Sequence, residues 1–240
     1  MAIGIIHSMK LLALETSVTA ATVALHDGAL TTELAVDASA SGPSGSVLVC
    51  VDRLMASAGV QLADLDGIVV GSGPGSFTGV RVACAVAQGL GVAAGVPVIP
   101  VLSIDALAST CAGDFVLALL DARMEEVYWA IYGPAAEGLS RIGDVLCTTP
   151  ERISLPDSPH EWRVCGSGIA RYRTVLPGEV TSRIAGEPGA SDPTAGMLIR
   201  YFLDRASQLP GVDAAALAPH YVRNKVALTT RERNALKAGQ

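Results

Sequence analysis

Two short apolar segments, about a hundred residues apart, each run into a carboxylate: Leu12-Ala13-Leu14-Glu15 and Ala118-Leu119-Leu120-Asp121. Eight residues beyond each carboxylate stands a strand-type residue, Val23 in one half and Trp129 in the other. Around the first carboxylate, Leu11–Leu14, Thr22–Leu25 and Leu30–Val36 read as a β-meander, with Asp27-Gly28 as a turn. Around the second, Val116–Leu120, Val127–Tyr132 and Leu139–Cys147 repeat it. A chain that opens twice with the same meander is steered toward a duplicated α/β fold; two unrelated α/β domains that open alike are the alternative.

The rest of the first half alternates helices and strands. Ser39-Ala40-Ser41-Gly42-Pro43 is a loop, and Ser44 or Ser46 can cap the helix that follows, Ser44–Ser57. A strand at Ile68–Val70 leads into a glycine-rich loop, a helix from about Thr78 to Ala94 and a strand at Val96–Val101. Ser103 is placed to cap a further helix ending near Cys111. The second half is thinner: a helical turn at Glu151–Leu155, a strand at Arg163–Cys165, a helix at Gly168–Leu176 and an amphipathic helix at Thr194–Ser207. The domains expected are 1–112, a smaller 113–222 and a basic tail, 223–240. Met9-Lys10-Leu11 reads as a natural start, which makes residues 1–8 a disordered extension without structural role.

Half of the 240 residues are apolar and 17% are charged, a balance that builds a core and excludes disorder. The formal charge of −6 argues against a stand-alone nucleic-acid binder, although Arg223, Lys225, Arg231, Arg233 and Lys237 gather near the end, where a solvated tail is the plainer reading. Five scattered cysteines give neither a disulfide framework nor a zinc site, which fits a reducing cytoplasm; the four histidines show no ligand spacing. The apolar run Val82–Leu102 is interrupted by Gln88, Gly91, Gly95, Pro97 and Pro100, so a helix followed by a buried strand explains it better than a membrane span. No metal, catalytic residue or cofactor is expected from these patterns.

The strongest local signal is Gly71-Ser72-Gly73-Pro74-Gly75-Ser76-Phe77-Thr78-Gly79-Val80-Arg81, between a strand and a helix. Backbone N–H groups at such a junction can hold an anion. The loop lacks the lysine of a phosphate-binding Walker loop and the third glycine of a dinucleotide fingerprint. Two readings stay open: a weak anion site, or a structural turn in which Gly73 and Gly75 supply unusual backbone angles while Ser76 and Thr78 cap the helix. Helix Ser44–Ser57 poses a second question. Its apolar residues Val47, Leu48, Val51, Leu54 and Met55, with Val49 and Cys50, cover more than the single stripe a surface helix needs. Either the helix is sandwiched inside the chain, or these residues form a partner interface.

Four segments together resemble the TsaB (YeaZ-type) family: the opening Leu12-Ala13-Leu14-Glu15-Thr16-Ser17, the glycine-rich loop, Asp121-Ala122-Arg123-Met124 with Glu126-Val127-Tyr128-Trp129-Ala130, and Pro219-His220-Tyr221-Val222-Arg223. The resemblance implies a duplicated actin-like ATPase fold (actin, Hsp70, sugar kinases) with a reduced second domain. It implies a non-catalytic accessory subunit, acting with TsaD and TsaE in threonylcarbamoyl transfer to the adenosine beside the anticodon of ANN-reading tRNAs. The tRNA is met only through the complex, and a homodimer forms when TsaD is absent. At the positions of the metal-binding histidines of TsaD this chain has Ser103 and Leu107. Glu15, Thr16 and Ser17 stand where superfamily kinases orient metal and phosphate, which leaves a weak nucleotide site or a retained structural hairpin. A small-molecule kinase is the alternative function. Pro43, Val49, Ser72 and Glu125 depart from the family pattern.

Overall fold

The computed structural model describes residues 8–37, 42–136, 138–157 and 159–223. The extension expected at 1–8, apart from Ser8, and the tail beyond Arg223 lie outside the described residues.

The chain forms two sheets. The first holds β1 (Lys10–Glu15), β2 (Thr22–Asp27), β3 (Thr31–Ala35), β4 (Gly67–Gly71) and β5 (Val98–Val101) in the order β3-β2-β1-β4-β5. The second holds β6 (Val116–Asp121), β7 (Val127–Ala135), β8 (Gly138–Thr148) and β9 (Arg163–Cys165) in the order β8-β7-β6-β9. The second order is the first without its last strand. In each sheet the opening strand pairs antiparallel with its successor and parallel with the strand after the first crossover. The duplication expected from the two carboxylate-ended strands is therefore present, and the reduction is the loss of one edge strand. Glu15 pairs with Thr22 and Asp121 with Val127, so the second hairpin is one residue tighter.

The central strands read as unbroken apolar runs because both faces are covered. Helices α1 (Gly42–Ala58) and α2 (Phe77–Ala94) cover one face of the first sheet, where Val47, Val51, Leu54, Val80 and Ala87 meet Leu12, Leu14 and Ile68. Its other face packs against helix α6 (Ala195–Arg205), through Ala195, Leu198, Ile199 and Phe202. Helix α3 (Ser103–Ala108) lies between the sheets: Ala106 packs with α6 on the first sheet while Ile104 and Leu107 face the core of the second. Tyr132 and Arg141 of the second sheet both bond Asp105 of α3, at 2.7 Å. Helices α4 (Ser167–Tyr172) and α5 (Gly178–Thr181) close the far face around Trp162.

Part of the stretch expected in the second domain, 113–222, packs on the first sheet. Thr22 Oγ1 accepts from the Ala195 amide at 2.7 Å, and Thr194 and Gly196 bond Glu33, so α6 returns to the first sheet. The following segment also returns: Val212 bridges Val98, and Ala214 and Leu217 join the first core. The run Val82–Leu102 divides as expected. Helix α2 is long and apolar enough to cross a membrane by length and composition, but it ends at Gly95 in a left-handed cap and the chain continues into β5.

Candidate functional site: the cleft and the helical face

The glycine-rich loop is held by the hairpin that follows β1. The Ser76 amide donates to Ser17 O at 2.7 Å, and Thr16 Oγ1 donates to Gly79 O at 2.6 Å. These bonds draw the two backbones so close that side chains do not fit. A Cβ on Gly75 would lie 2.5 Å from Ser17 O, and one on Gly79 only 1.9 Å from Thr16 O. Gly73 has φ +108°, a backbone conformation that favours glycine. The reading of this loop is thereby corrected at two residues. Gly75 is required for close approach, not for an unusual angle. Ser76 caps α2, accepting from the Gly79 amide at 3.0 Å, while Thr78 is exposed in the first turn, two positions further on.

Glu15 is wholly buried. One carboxylate oxygen accepts from the Ser17 amide at 2.7 Å and the other from the Ser103 hydroxyl at 2.6 Å. A Cβ on Gly71 would lie 2.2 Å from the latter oxygen, so β4 needs glycine there. Burial raises the carboxyl above its usual range, against the pull of those hydrogen bonds. Thr16 and Ser17 are buried as well. The three residues of the possible nucleotide site are thus packed together, and only Ser17 reaches the cleft. Ser103 does not cap its helix, since Leu102 occupies the cap position and the Ser103 hydroxyl turns to Glu15. Leu107 is fully buried in the second core.

Between the halves lies a cleft of about 380 Å³, lined by Ser17, Ser76, Phe77, Asp121, Arg123 and His220 among others. Asp121 faces it. Its carboxylate accepts from the Arg123 amide at 2.9 Å, and from Arg171 and Tyr172 at 3.2 Å. The turn after Asp121 places Arg123, Met124 and Glu125 in succession at φ +61°, +54° and +61°. Glu125, one of the departures from the family pattern, adopts the left-handed conformation although it is not glycine. That costs about 1–2 kcal/mol per residue.

Sequence reasoning singled out Pro219–Arg223 only as a family motif and missed its role as a strap along the cleft, because its residues have no periodicity. From Leu217 onward it is tied to the first half. Leu217 O accepts from Gln88, the His220 amide donates to Ser72 O, and Tyr221 accepts from Arg81, which lies 3.4 Å over the Phe77 ring. Arg223 then reaches the second half, donating to Ala122 O at 3.1 Å and pairing with Glu126. Arg223 therefore belongs to the folded body and not to a frayed tail.

The helical face also needs correction. Val47, Val51, Leu54 and Met55 are buried in the chain's own core, so four of the five residues assigned to a partner interface are internal. Leu48 is the exception at 46% exposure, joined by Val49 at 49% and by Val92 on α2 at 68%. Ala85, Gly89 and Ala93 are exposed on the same helix as Val92. Ser46 lies buried inside α1 and does not mark its start; the side chains of Pro43 and Ser44 lie outside the described residues.

A family model described as TsaD, tRNA N6-adenosine threonylcarbamoyltransferase, matches residues 43–181. The tRNA threonylcarbamoyladenosine biosynthesis protein TsaB of Haemophilus influenzae is 30% identical over 91% of this chain and 95% of its own. The chain belongs to the TsaB family. The solved structure of YeaZ from Pseudomonas aeruginosa superposes with a TM-score of 0.72, at 33% identity over 89% of this chain and 99% of that one. A second Pseudomonas aeruginosa structure, described as similar to peptidase YEAZ, gives 0.76 at 32% identity, covering 90% and 100%. With the paired strand orders, these likenesses make the architecture the duplicated actin-like ATPase fold of TsaB proteins.

Proposed function

We propose that this chain is a non-catalytic accessory subunit for threonylcarbamoyladenosine formation in tRNA, working in the cytoplasm with TsaD and TsaE. The observation that carries the reading is the bond from Ser103 to Glu15. It joins the position of a lost metal ligand to the position that orients phosphate in superfamily kinases, and it seals both from solvent. A kinase needs that carboxylate in the cleft, so the geometry disfavours it. A peptidase needs an activated nucleophile. His220 shares the cleft with Ser17, Ser76 and Ser167, yet among the described residues no hydrogen bond joins it to any of these hydroxyls.

The partner face in this reading is the outer side of α1 and α2, around Leu48, Val49 and Val92, where small Ala85 and Gly89 permit close approach. It holds a second copy of the chain when TsaD is absent and TsaD when it is present, while tRNA is met only through that complex. The test is reconstitution. Purified TsaD and TsaE, with threonylcarbamoyl-adenylate and tRNA, should modify the tRNA far faster when this chain is added, and the chain alone should give no product. Modification by the chain alone, or no effect of adding it together with no co-purification with TsaD, overturns the proposal.

A further inference from the structure

Two of the five cysteines meet away from the cleft. Cys111 follows α3 and Cys165 ends β9. Both close over Gly189, where a Cβ would lie 3.1 Å from Cys111 Sγ and 3.4 Å from Cys165 Cβ. The pair is unequal in access. Cys165 is fully buried, whereas Cys111 is half-buried and lines an open cavity of about 640 Å³ with Ser109, Asp114, Arg200 and Arg205. It is also unequal in chemistry. Burial pushes the Cys84 thiol up to about 11 and raises Cys147, and donation to its neighbour raises Cys165. The Cys111 thiol is instead drawn down, chiefly by the hydrogen bond from Cys165 and also by the charge of Arg163.

We propose that Cys111 and Cys165 form an oxidisable pair, with Cys111 as the peroxide-reactive thiol and Cys165 as the resolving one. The Cys111 thiolate attacks one oxygen of hydrogen peroxide; an S–O bond forms, the O–O bond breaks and the departing hydroxide takes up a proton to become water. Cys165 then loses its proton as its sulfur attacks Cys111 Sγ, forming the S–S bond and releasing the sulfenic oxygen as a second water. Both thiols are oxidised and the peroxide is reduced. A thiol reductant such as glutathione reverses the step by exchange. Cys165 directly precedes Gly166, which seats α4 against Leu119, and α4 carries the Arg171 and Tyr172 that hold Asp121.

The test uses the full chain exposed to excess hydrogen peroxide, alkylated under denaturing conditions and mapped by mass spectrometry. The expected product has lost two of its five titratable thiols and contains a Cys111–Cys165 linked peptide that dithiothreitol removes. Cys111→Ser should abolish the link and leave Cys165 reduced. Cys165→Ala should let dimedone trap a sulfenic acid on Cys111; because that residue is buried, circular dichroism first confirms that the variant is folded, and the wild-type link decides the matter if it is not. Full alkylation of both cysteines after peroxide, linkage of a different pair, or sulfenic acid appearing first on another cysteine overturns the proposal.

Discussion

The two halves end their opening strands on carboxylates with opposite fates. Glu15 is wholly buried, held by a serine from α3 and by its own hairpin, and the glycine-rich loop is bonded down over that hairpin. Asp121 lines the cleft, held by half-exposed Arg171 and buried Tyr172 beside a turn of three left-handed residues. The first half buries its carboxylate as a packing centre, while the second half keeps its own on the cleft wall, with 14% of the side chain exposed. A duplicated fold preserves backbone topology more strictly than it preserves chemistry, because topology is fixed by both faces of a sheet and a site by a few side chains.

The glycines at the ends of the parallel strands sharpen this contrast most. Gly166 in the second half has φ +102°, and a Cβ there would sit 1.9 Å from Leu119 O, a backbone atom that cannot swing away. Gly166→Ala should destabilise by about 4 kcal/mol or more in denaturant unfolding, and Asp121→Ala should not relieve it, the two effects adding to within about 0.5 kcal/mol. At Gly71 the obstacle is the Glu15 side chain. Gly71→Ala should also be costly, but combined with Glu15→Ala it should show a favourable coupling of about 1 kcal/mol or more. Equal coupling in both halves would mean that the first carboxylate is no more structural than the second.

A second test concerns the helical face of the first half. Val51 is 4% exposed within the first core, so Val51→Glu should cost about 3–5 kcal/mol through an unpaired buried charge, read as loss of the cooperative melt. Leu48→Glu should change stability by no more than about 0.5 kcal/mol and should instead shift light scattering toward monomer and reduce capture by TsaD. A monomeric wild type whose TsaD binding survives Leu48→Glu would remove the interface from this face.

These tests also mark how much was legible in the sequence. Both meanders, the strand at Arg163–Cys165 and the helix starting at Thr194 were readable, because apolar runs bounded by Gly, Pro and Asp have few alternatives. The direction of α1 was not. Its apolar residues nearly encircle the helix, and only the packed sheet decides that Val51 is inside and Leu48 outside. The burial of Glu15 was equally hidden, since the Ser103 that satisfies it lies 88 residues along the chain. The strap has no periodicity to reveal it, being fixed by side chains such as Gln88 and Arg81 on a distant helix. The same holds for α6: its amphipathic pattern marks a buried stripe but does not say which sheet receives it.

The pH dependence of stability separates the two carboxylates more gently. Burial holds the Glu15 carboxyl above its ordinary value of 4.5, so the folded protein binds that proton more tightly than the unfolded chain does. The stabilisation this gives is fully present below 4.5 and is lost as pH rises through the raised, folded-state value. Glu15→Gln keeps an acceptor for the Ser17 amide and a donor for Ser103 without a charge to bury. It should remove this decline, so that variant and wild type diverge in urea midpoint from acid to neutral pH, with the variant the more stable at neutral. A variant that tracks wild type across the range would show that the hydrogen bonds cancel the effect of burial at this site.

The smallest effect is expected at Asp121, and its smallness is the point. The carboxylate's charged partners are exposed, Arg171 at 53% and Arg123 at 68% of their side-chain surface. Ion pairs so placed are screened by water and salt and contribute about 0–1 kcal/mol. Asp121→Asn keeps an acceptor for the Arg123 amide and for Tyr172, so the turn retains its anchor while the charge disappears from the cleft. Denaturant unfolding of this variant should therefore fall within about 1 kcal/mol of wild type, with a midpoint difference that shrinks further as salt is added. Because Asp121 opens onto the cleft and Glu15 does not, any effect of Asp121→Asn on tRNA modification in the reconstituted system would come from the surface it presents and not from folding. A loss of several kcal/mol would instead make Asp121 a packing centre like Glu15, and the asymmetry between the halves would then reside only in their glycines.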